Sequence, residues 1–321
     1  MSRLKKILRW LIVAVCLFYL LRFFHNNWST LKIAFTLKTS TIIYIITLQV
    51  ISHLLISLRF RIILEKCSNR KIRFFYWFKL YILGRFLSTM ISQAGNIYRS
   101  VHLKQDCGIS YTQYIGSYTS FVWMDTFINF FIAAIAIAVR DPAYKLGQFF
   151  MWKMLLFLSL ALLAFPITIE LFFRKISFTN KRMKWMHSKL HEVLTASVNN
   201  IRDPLFMLKV ILLGLAVFTR TCLSFYIYFS IFNIHATIPL LVVFCALSNI
   251  STFIVLTPGN LGIQELAYGF LAQTMGIGMA QGVLISMLAR AFVTTYILAL
   301  GAVFGGVDLF RKRNDYRTPS K

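Results

Sequence analysis

The feature that most restricts this chain is the recurrence of apolar runs about as long as a bilayer is thick. A hydrocarbon core takes ~20 residues of helix. Seven runs meet that length, at roughly residues 10–28, 40–58, 111–139, 147–173, 204–232, 238–256 and 280–304. Two further segments are ambiguous. Residues 74–94 are aromatic but contain Lys79 and Arg85, and residues 258–276 open on Pro258-Gly259 and contain Gly262, Glu265 and Gly269. Of the 321 residues, 58% are hydrophobic and 14% charged, against ~45–50% and ~25% in a soluble domain. That balance excludes a soluble enzyme, and 31 Phe with 14 Tyr exclude a disordered chain. The expected fold class is all-α, a polytopic transmembrane helix bundle of about eight spans, with re-entrant or broken helices near 74–98 and 257–276. Residues 1–321 are expected to form a single integral membrane domain.

The charge balance is lopsided, with 35 Lys+Arg against 10 Asp+Glu and a net charge of +25. In a soluble chain this would suggest nucleic acid. Here the cations sit between apolar runs, so the expected partners are anionic membrane lipids and no nucleic acid. Arg3, Lys5, Lys6 and Arg9 precede the first run as in a signal peptide. No small-x-small cleavage site follows, so the segment is expected to stay as a first helix. Both tails are basic, and the positive-inside rule places both in the cytoplasm, which requires an even number of crossings. If 258–276 crosses and 74–94 only dips in, the loops hold 24 cations inside and 4 outside. If 74–94 crosses instead, the split is 17 to 11. The first arrangement fits better, and it makes 74–94 a hairpin that must be covered by protein or by a wet cavity.

Residues 174–203 form the largest internal loop. Met183, Met186, Leu190, Val193 and Leu194 recur at helical spacing among Lys181, Arg182, Lys184 and Lys189. This is expected to be an amphipathic helix on the cytoplasmic leaflet, with a solvated linker helix as the alternative.

Two segments echo each other. Ser88-Thr89-Met90-Ile91-Ser92-Gln93-Ala94-Gly95-Asn96 aligns with Ser251-Thr252-Phe253-Ile254-Val255-Leu256-Thr257-Pro258-Gly259-Asn260 across one gap, and each is followed by a stretch ending in Gly-Ile, at Gly108-Ile109 and Gly276-Ile277. Paired Gly/Pro-interrupted apolar segments in two halves mark substrate sites in transporters. Chance similarity in a low-complexity apolar chain is the other explanation.

Asp125, Arg220 and Arg290 fall near the centres of their runs, with Arg85 in the candidate hairpin and Glu265 in the Pro-Gly segment. A central charge costs ~2.5–3.5 kcal/mol on insertion scales and normally faces an interior or a partner. If Asp125 and Glu265 each neutralise one Arg, a guanidinium remains, and Arg suits bidentate phosphate contact. Purely structural ion pairing between helices is the competing explanation. Gly301-x-x-x-Gly305 reads as close helix packing. Catalytic signals are weak. There is no D-x-D or D-D-x-x-D pair for Mg²⁺-diphosphate chemistry. His102 and Asp106 miss the H-x4-D acyltransferase spacing by one residue, and His187, His191 and Glu192 do not form H-E-x-x-H. The five cysteines are scattered and form no C-x-x-C. No metal, cofactor or catalytic residue is expected.

At Thr257-Pro258-Gly259-Asn260-Leu261-Gly262-Ile263-Gln264-Glu265 the chain resembles the lysylphosphatidylglycerol synthase transmembrane-region family, the flippase-like proteins. Their C-terminal half carries P-G-G-x-G-x-x-E. Here Pro258, Gly259, Gly262 and Glu265 match, and Asn260 replaces the second Gly. Their N-terminal half carries a G-D-x-x-R-like motif, occupied here by Gly95, Asn96 and Arg99, with Asn96 in place of the acid. The resemblance implies about eight helices, a bacterial or archaeal cytoplasmic membrane, and movement of anionic or glycosylated lipids between leaflets. Members fused to a soluble aminoacyltransferase domain make aminoacylated lipid, and this chain is expected to lack that domain. The resulting expectation is a flippase-like protein whose substrate site comprises Gly95, Asn96, Arg99, Asp125, Arg220, Pro258, Gly259, Asn260, Gly262, Glu265 and Arg290. Two alternatives are a membrane-embedded transferase on a lipid-linked substrate and a non-transporting scaffold for a glycosyltransferase or lipid-modifying enzyme in envelope biogenesis.

Overall fold

A computed structural model describes residues 37–175, 203–253 and 260–315. The first apolar run, the 174–203 loop save its edges, and Pro258 and Gly259 lie outside the described residues. The described chain is a helical bundle. It comprises α1 (Thr39–Ser68), α2 (Phe74–Met90), α3 (Ala94–Cys107), α4 (Tyr111–Arg140), α5 (Met151–Lys175), α6 (Pro204–Ile231), α7 (Ile238–Ser248), α8 (Ile263–Thr274) and α9 (Met279–Asp315). A two-stranded antiparallel turn, β1 (Lys145–Leu146) with β2 (Phe149–Phe150), precedes α5. Among the described residues, four helices are long and apolar enough to cross a membrane: α1, α4, α6 and, over Met279–Gly305, α9.

Helix boundaries follow local chemistry. Ser110 and Gln113 form a capping box at the start of α4. Asp203 caps α6 through the Phe206 N–H at 3.0 Å, with Pro204 next to it where its missing N–H costs nothing. Within α5, Pro166 cannot donate to the Leu162 carbonyl one turn earlier. Trp123 of α4 supplies the missing donor, its Nε1–H reaching Leu162 O at 2.6 Å.

α1 and α6 run antiparallel, zipped by pairs from end to end. Lys66 meets Asp203 at 2.5 Å, the Arg59 guanidinium lies against Gly214, Arg220 donates to Ser52, and Gln49 donates to the Tyr228 hydroxyl at 3.3 Å. α2 then folds back along α1, with Trp77 Nε1–H on Ser57 O at 2.7 Å and the Tyr81 hydroxyl 3.3 Å from His53. α3 returns along α2, so Ile72 before the hairpin and Ile109 after it sit in one apolar cluster. The two arms touch at Gly95, where a Cβ would run into the Gly84 carbonyl oxygen. Only glycine permits that approach.

The span read from the sequence over residues 238–256 is described as far as Phe253, and it is not α-helix throughout. α7 ends at Ser248 and passes into a 3-10 turn, Asn249–Phe253. The reason is polar competition. Ser248 and Ser251 bond back to Cys245 O and Ser248 O, and the Asn249 amide reaches Asp125 at 3.1 Å. α7, of 11 residues, rises about 16 Å and the 3-10 turn carries it about 10 Å further, while α8, of 12 residues, rises about 18 Å. Met275, past the end of α8, shares an apolar cluster with Leu241 of α7, with Ile45, Ile137 and Met151, and with Ile277 packed against it. The far end of α8 thus packs into the same apolar cluster as α7. Two crossings or a fold-back give the same parity, so the charge asymmetry of the loops is unaffected.

α9 is the shared partner of both hairpins. Its first half packs on α8, where Gly282 meets the Tyr268 carbonyl, and its second half packs on α2, where Gly301 backs onto the Phe86 ring. The Gly301-x-x-x-Gly305 spacing thus serves packing within the chain.

Candidate functional site

The sequence echo corresponds to a repeated local structure. α3 is preceded by Gln93 at φ 66° and stopped by Gly108 at φ 68°; α8 is preceded by Asn260 at φ 60° and Gly262 at φ 84°, and its end is followed by Gly276 at φ 76°. The left-handed stops suit glycine, and the isoleucine after each bonds back, Ile109 N–H to Leu103 O at 3.1 Å and Ile277 N–H to Ala272 O at 2.9 Å. The paired serines stitch both breaks. Ser88 Oγ accepts from the Gly95 N–H at 3.2 Å, and Ser251 O accepts from the Asn260 amide at 3.0 Å.

Each break is also braced by an arginine. In the first hairpin Arg99 donates through Nε to Gly95 O at 3.1 Å and through Nη2 to Asn96 Oδ1 at 2.8 Å. Asn96 Oδ1 also accepts from the Tyr114 hydroxyl at 3.0 Å. Arg99 is buried against Gly84, with the Tyr81 ring 5.8 Å from its guanidinium carbon. In the second hairpin the brace comes from another helix. Arg290 of α9 donates through Nε to Glu265 Oε1 at 2.5 Å, and through Nη2 to Asn260 O at 3.0 Å and Gln264 Oε1 at 3.3 Å. Glu265 Oε2 accepts the Gly262 N–H at 2.7 Å, the acidic half of a capping box. The carboxylate also lies at the positive end of α8. The Glu265 side chain is 3% exposed and that of Arg290 19%, so the arginine is the accessible member of the pair.

Asp125 pairs differently from its expected partners. It takes Arg59 of α1 on one oxygen and Asn249 of the α7 break on the other. The sequence placed Arg59 in a loop after residue 58, whereas α1 continues to Ser68 and leaves Arg59 only 1% exposed, with the Phe121 ring 5.0 Å from its guanidinium carbon. The segment joining α7 to α8 thus touches both ionic clusters, through Asn249 to Asp125 and through Asn260 to Arg290. Arg220 belongs to neither. Its hydrogen bonds go to the hydroxyls of Ser52 and, at 3.4 Å, Ser224.

Of the sequence-predicted residues, the structure brings together Asn260, Gly262, Glu265 and Arg290 around the second break, and Gly95, Asn96 and Arg99 within the first hairpin. Asp125 reaches the second group only through Asn249, and Arg220 lies on the α1–α6 seam. Arg59, Asn249 and Gln264 were missed. For Arg59 the available signal was the run Gln49, Ser52, His53, Ser57, which continues a helical polar stripe toward it. Arg85 is exposed on α2.

A family model described as "Lysylphosphatidylglycerol synthase TM region" matches residues 6–301. No curated protein and no solved structure matches.

Proposed function

The chain belongs to the lysylphosphatidylglycerol synthase transmembrane-region family, and from that premise we propose that it moves an anionic or glycosylated lipid between the leaflets of a bacterial or archaeal cytoplasmic membrane. The family makes it an integral membrane protein linked to lipid handling or envelope biogenesis. The finer reading rests on one observation. Arg290 is held by Glu265 at the start of the short helix α8, with the arginine the more exposed partner. A guanidinium fixed by a buried carboxylate cannot fold away from its position, and it suits the planar two-point contact that a phosphate offers. Asn260 and Gln264 lie beside it, and polar groups at such a break give a headgroup leaving water protein hydrogen bonds in exchange for solvent ones. Both tails and the 59–73 loop face the cytoplasm in this reading, and anionic lipids are the partners. No side chain is assigned to bond making.

The test uses proteoliposomes and a leaflet-accessibility readout. Glu265→Ala and Arg290→Ala should each abolish headgroup movement at matched protein abundance. Unchanged movement in both variants would end the site assignment. A new covalent lipid product from purified protein with a donor would favour a transferase instead.

A further inference from the structure

We propose that the polar seam between α1 and α6 is a second anion station, built around Arg220, that accepts the phosphate of a lipid with an uncharged, hydroxyl-bearing headgroup and rejects cationic aminoacylated lipids. It rests on the translocation reading above and names the substrate class.

α6 presents Arg220, Ser224 and Tyr228 at four-residue intervals, one face of a helix. α1 presents Gln49 and Ser52 against them, with His53 next along the helix. Arg220 donates to Ser52 and Ser224, and Gln49 donates to Tyr228 at 3.3 Å. His53, 3% exposed, stacks on Tyr296 at 5.2 Å and sits 3.3 Å from the Tyr81 hydroxyl. Two buried nitrogens at or next to this seam, Arg220 Nε and His53 Nε2, have no hydrogen-bond partner among the described residues. Such groups cost free energy unless something binds them.

The charge accounting fixes the sign of the ligand. Every carboxylate that the described residues place on the seam helices or against them is taken: Glu65 by Arg61 and the Ile72 N–H, Asp203 by Lys66, Asp125 by Arg59 and Asn249, and Glu265 by Arg290 and the Gly262 N–H. Among the described residues, Arg220 has only hydroxyl partners. Arg85 and Arg220 both stand within electrostatic range of His53. A phosphate entering here meets an uncompensated guanidinium and gains charge-assisted hydrogen bonds. A lysyl ammonium meets the same guanidinium and finds no open carboxylate, so its own charge stays unpaired in a low-dielectric interior. The remaining groups, Ser52, Ser224, Gln49 and Tyr228, are hydroxyls and an amide, which match a glycerol or sugar headgroup rather than an amine.

Binding to the purified full-length protein in detergent, read by native mass spectrometry, tests this with three probes. Phosphatidylglycerol should bind, and lysyl-phosphatidylglycerol should bind at least about tenfold more weakly. Inorganic phosphate should not displace the lipid; displacement by the free anion alone would overturn the lipid assignment. Equal binding of the two lipids by the unmodified protein would overturn the proposal without any variant. Arg220→Gln should lose phosphatidylglycerol binding by about tenfold yet raise the melting temperature, because an uncompensated, partly buried charge is removed. A variant that melts lower and binds as before would make Arg220 a structural residue. Selective binding that survives in Arg290→Ala while that variant moves no lipid supports the seam as a station separate from the Arg290 site, whereas selective binding together with unchanged movement in that variant leaves the seam standing and ends the Arg290 assignment. Selective binding by a protein that moves no lipid at all would sink translocation and leave the seam.

Discussion

Asp125 is the point where the structure makes a quantitative stability claim. It holds Arg59, whose side chain is 1% exposed, while its own side chain is 22% exposed. Replacing Asp125 with Ala strands a buried guanidinium. Breaking a buried pair from one side costs about 3–5 kcal/mol. The Phe121 ring, 5.0 Å from the guanidinium carbon, still attracts the cation, a contact worth ~1–2 kcal/mol when desolvated. Because that ring contact persists and water can enter where the carboxylate was exposed, the expected loss is about 2–3 kcal/mol. Arg59→Met removes the cation, fills the space with apolar atoms, and leaves Asp125 with Asn249 and partial access to water. Its cost should be smaller, about 1 kcal/mol. Asp125→Ala with Arg59→Met should recover most of the first loss, since neither charge is then stranded. A double-mutant cycle on purified protein in detergent, followed by reversible unfolding, measures this. A double variant whose loss equals the sum of the two single losses would refute the reasoning, because an ion pair predicts strong coupling.

Three further outcomes follow from other contacts. Gly95→Ala forces a methyl group into the Gly84 backbone carbonyl, so the α2–α3 hairpin must open at a cost of about 1–3 kcal/mol, read as a lower melting temperature. Trp123→Phe leaves the Leu162 carbonyl beside Pro166 without a donor and should cost about 1–3 kcal/mol, whereas adding Pro166→Ala to that variant should restore most of it. Asp203 is held below the ordinary aspartate pKa, first by its hydrogen bond to Lys66 and then by the Phe206 N–H. Its folded pKa is depressed, so its contribution is present above the unfolded value and is lost as pH falls through the folded one. Asp203→Asn should therefore flatten the acid limb of a melting-temperature profile, and an unchanged limb would show the cap to be idle.

Much of the architecture was legible because hydrocarbon thickness forces long apolar helices, and α1, α4, α6 and α9 follow it directly. The two breaks were legible through punctuation: Gln93-Ala94-Gly95 and Asn260-Leu261-Gly262 sit where left-handed residues interrupt apolar sequence. The end of α7 was not, since Ser248, Asn249 and Ser251 are tolerated inside apolar helices when they bond backward, and only Asp125 on another helix draws Asn249 out. Glu265 and Arg290 could be named separately as buried charges, but their pairing depends on α8 folding back along α9, which no local pattern encodes. Arg59 escaped for a simpler reason. The apolar run ends before it, while the helix and its burial do not, because Asp125 and Phe121 supply what the lipid cannot.

Lipid movement by the reconstituted chain itself bears most directly on the central claim. Proteoliposomes carrying a fluorescent phosphatidylglycerol in both leaflets, treated with a membrane-impermeant quencher, distinguish movement from its absence. The protein should bring the signal well below the half that empty vesicles retain, and Arg290→Ala at equal reconstitution should restore that half. Retention of half the signal by vesicles containing folded, unmodified protein would contradict the account.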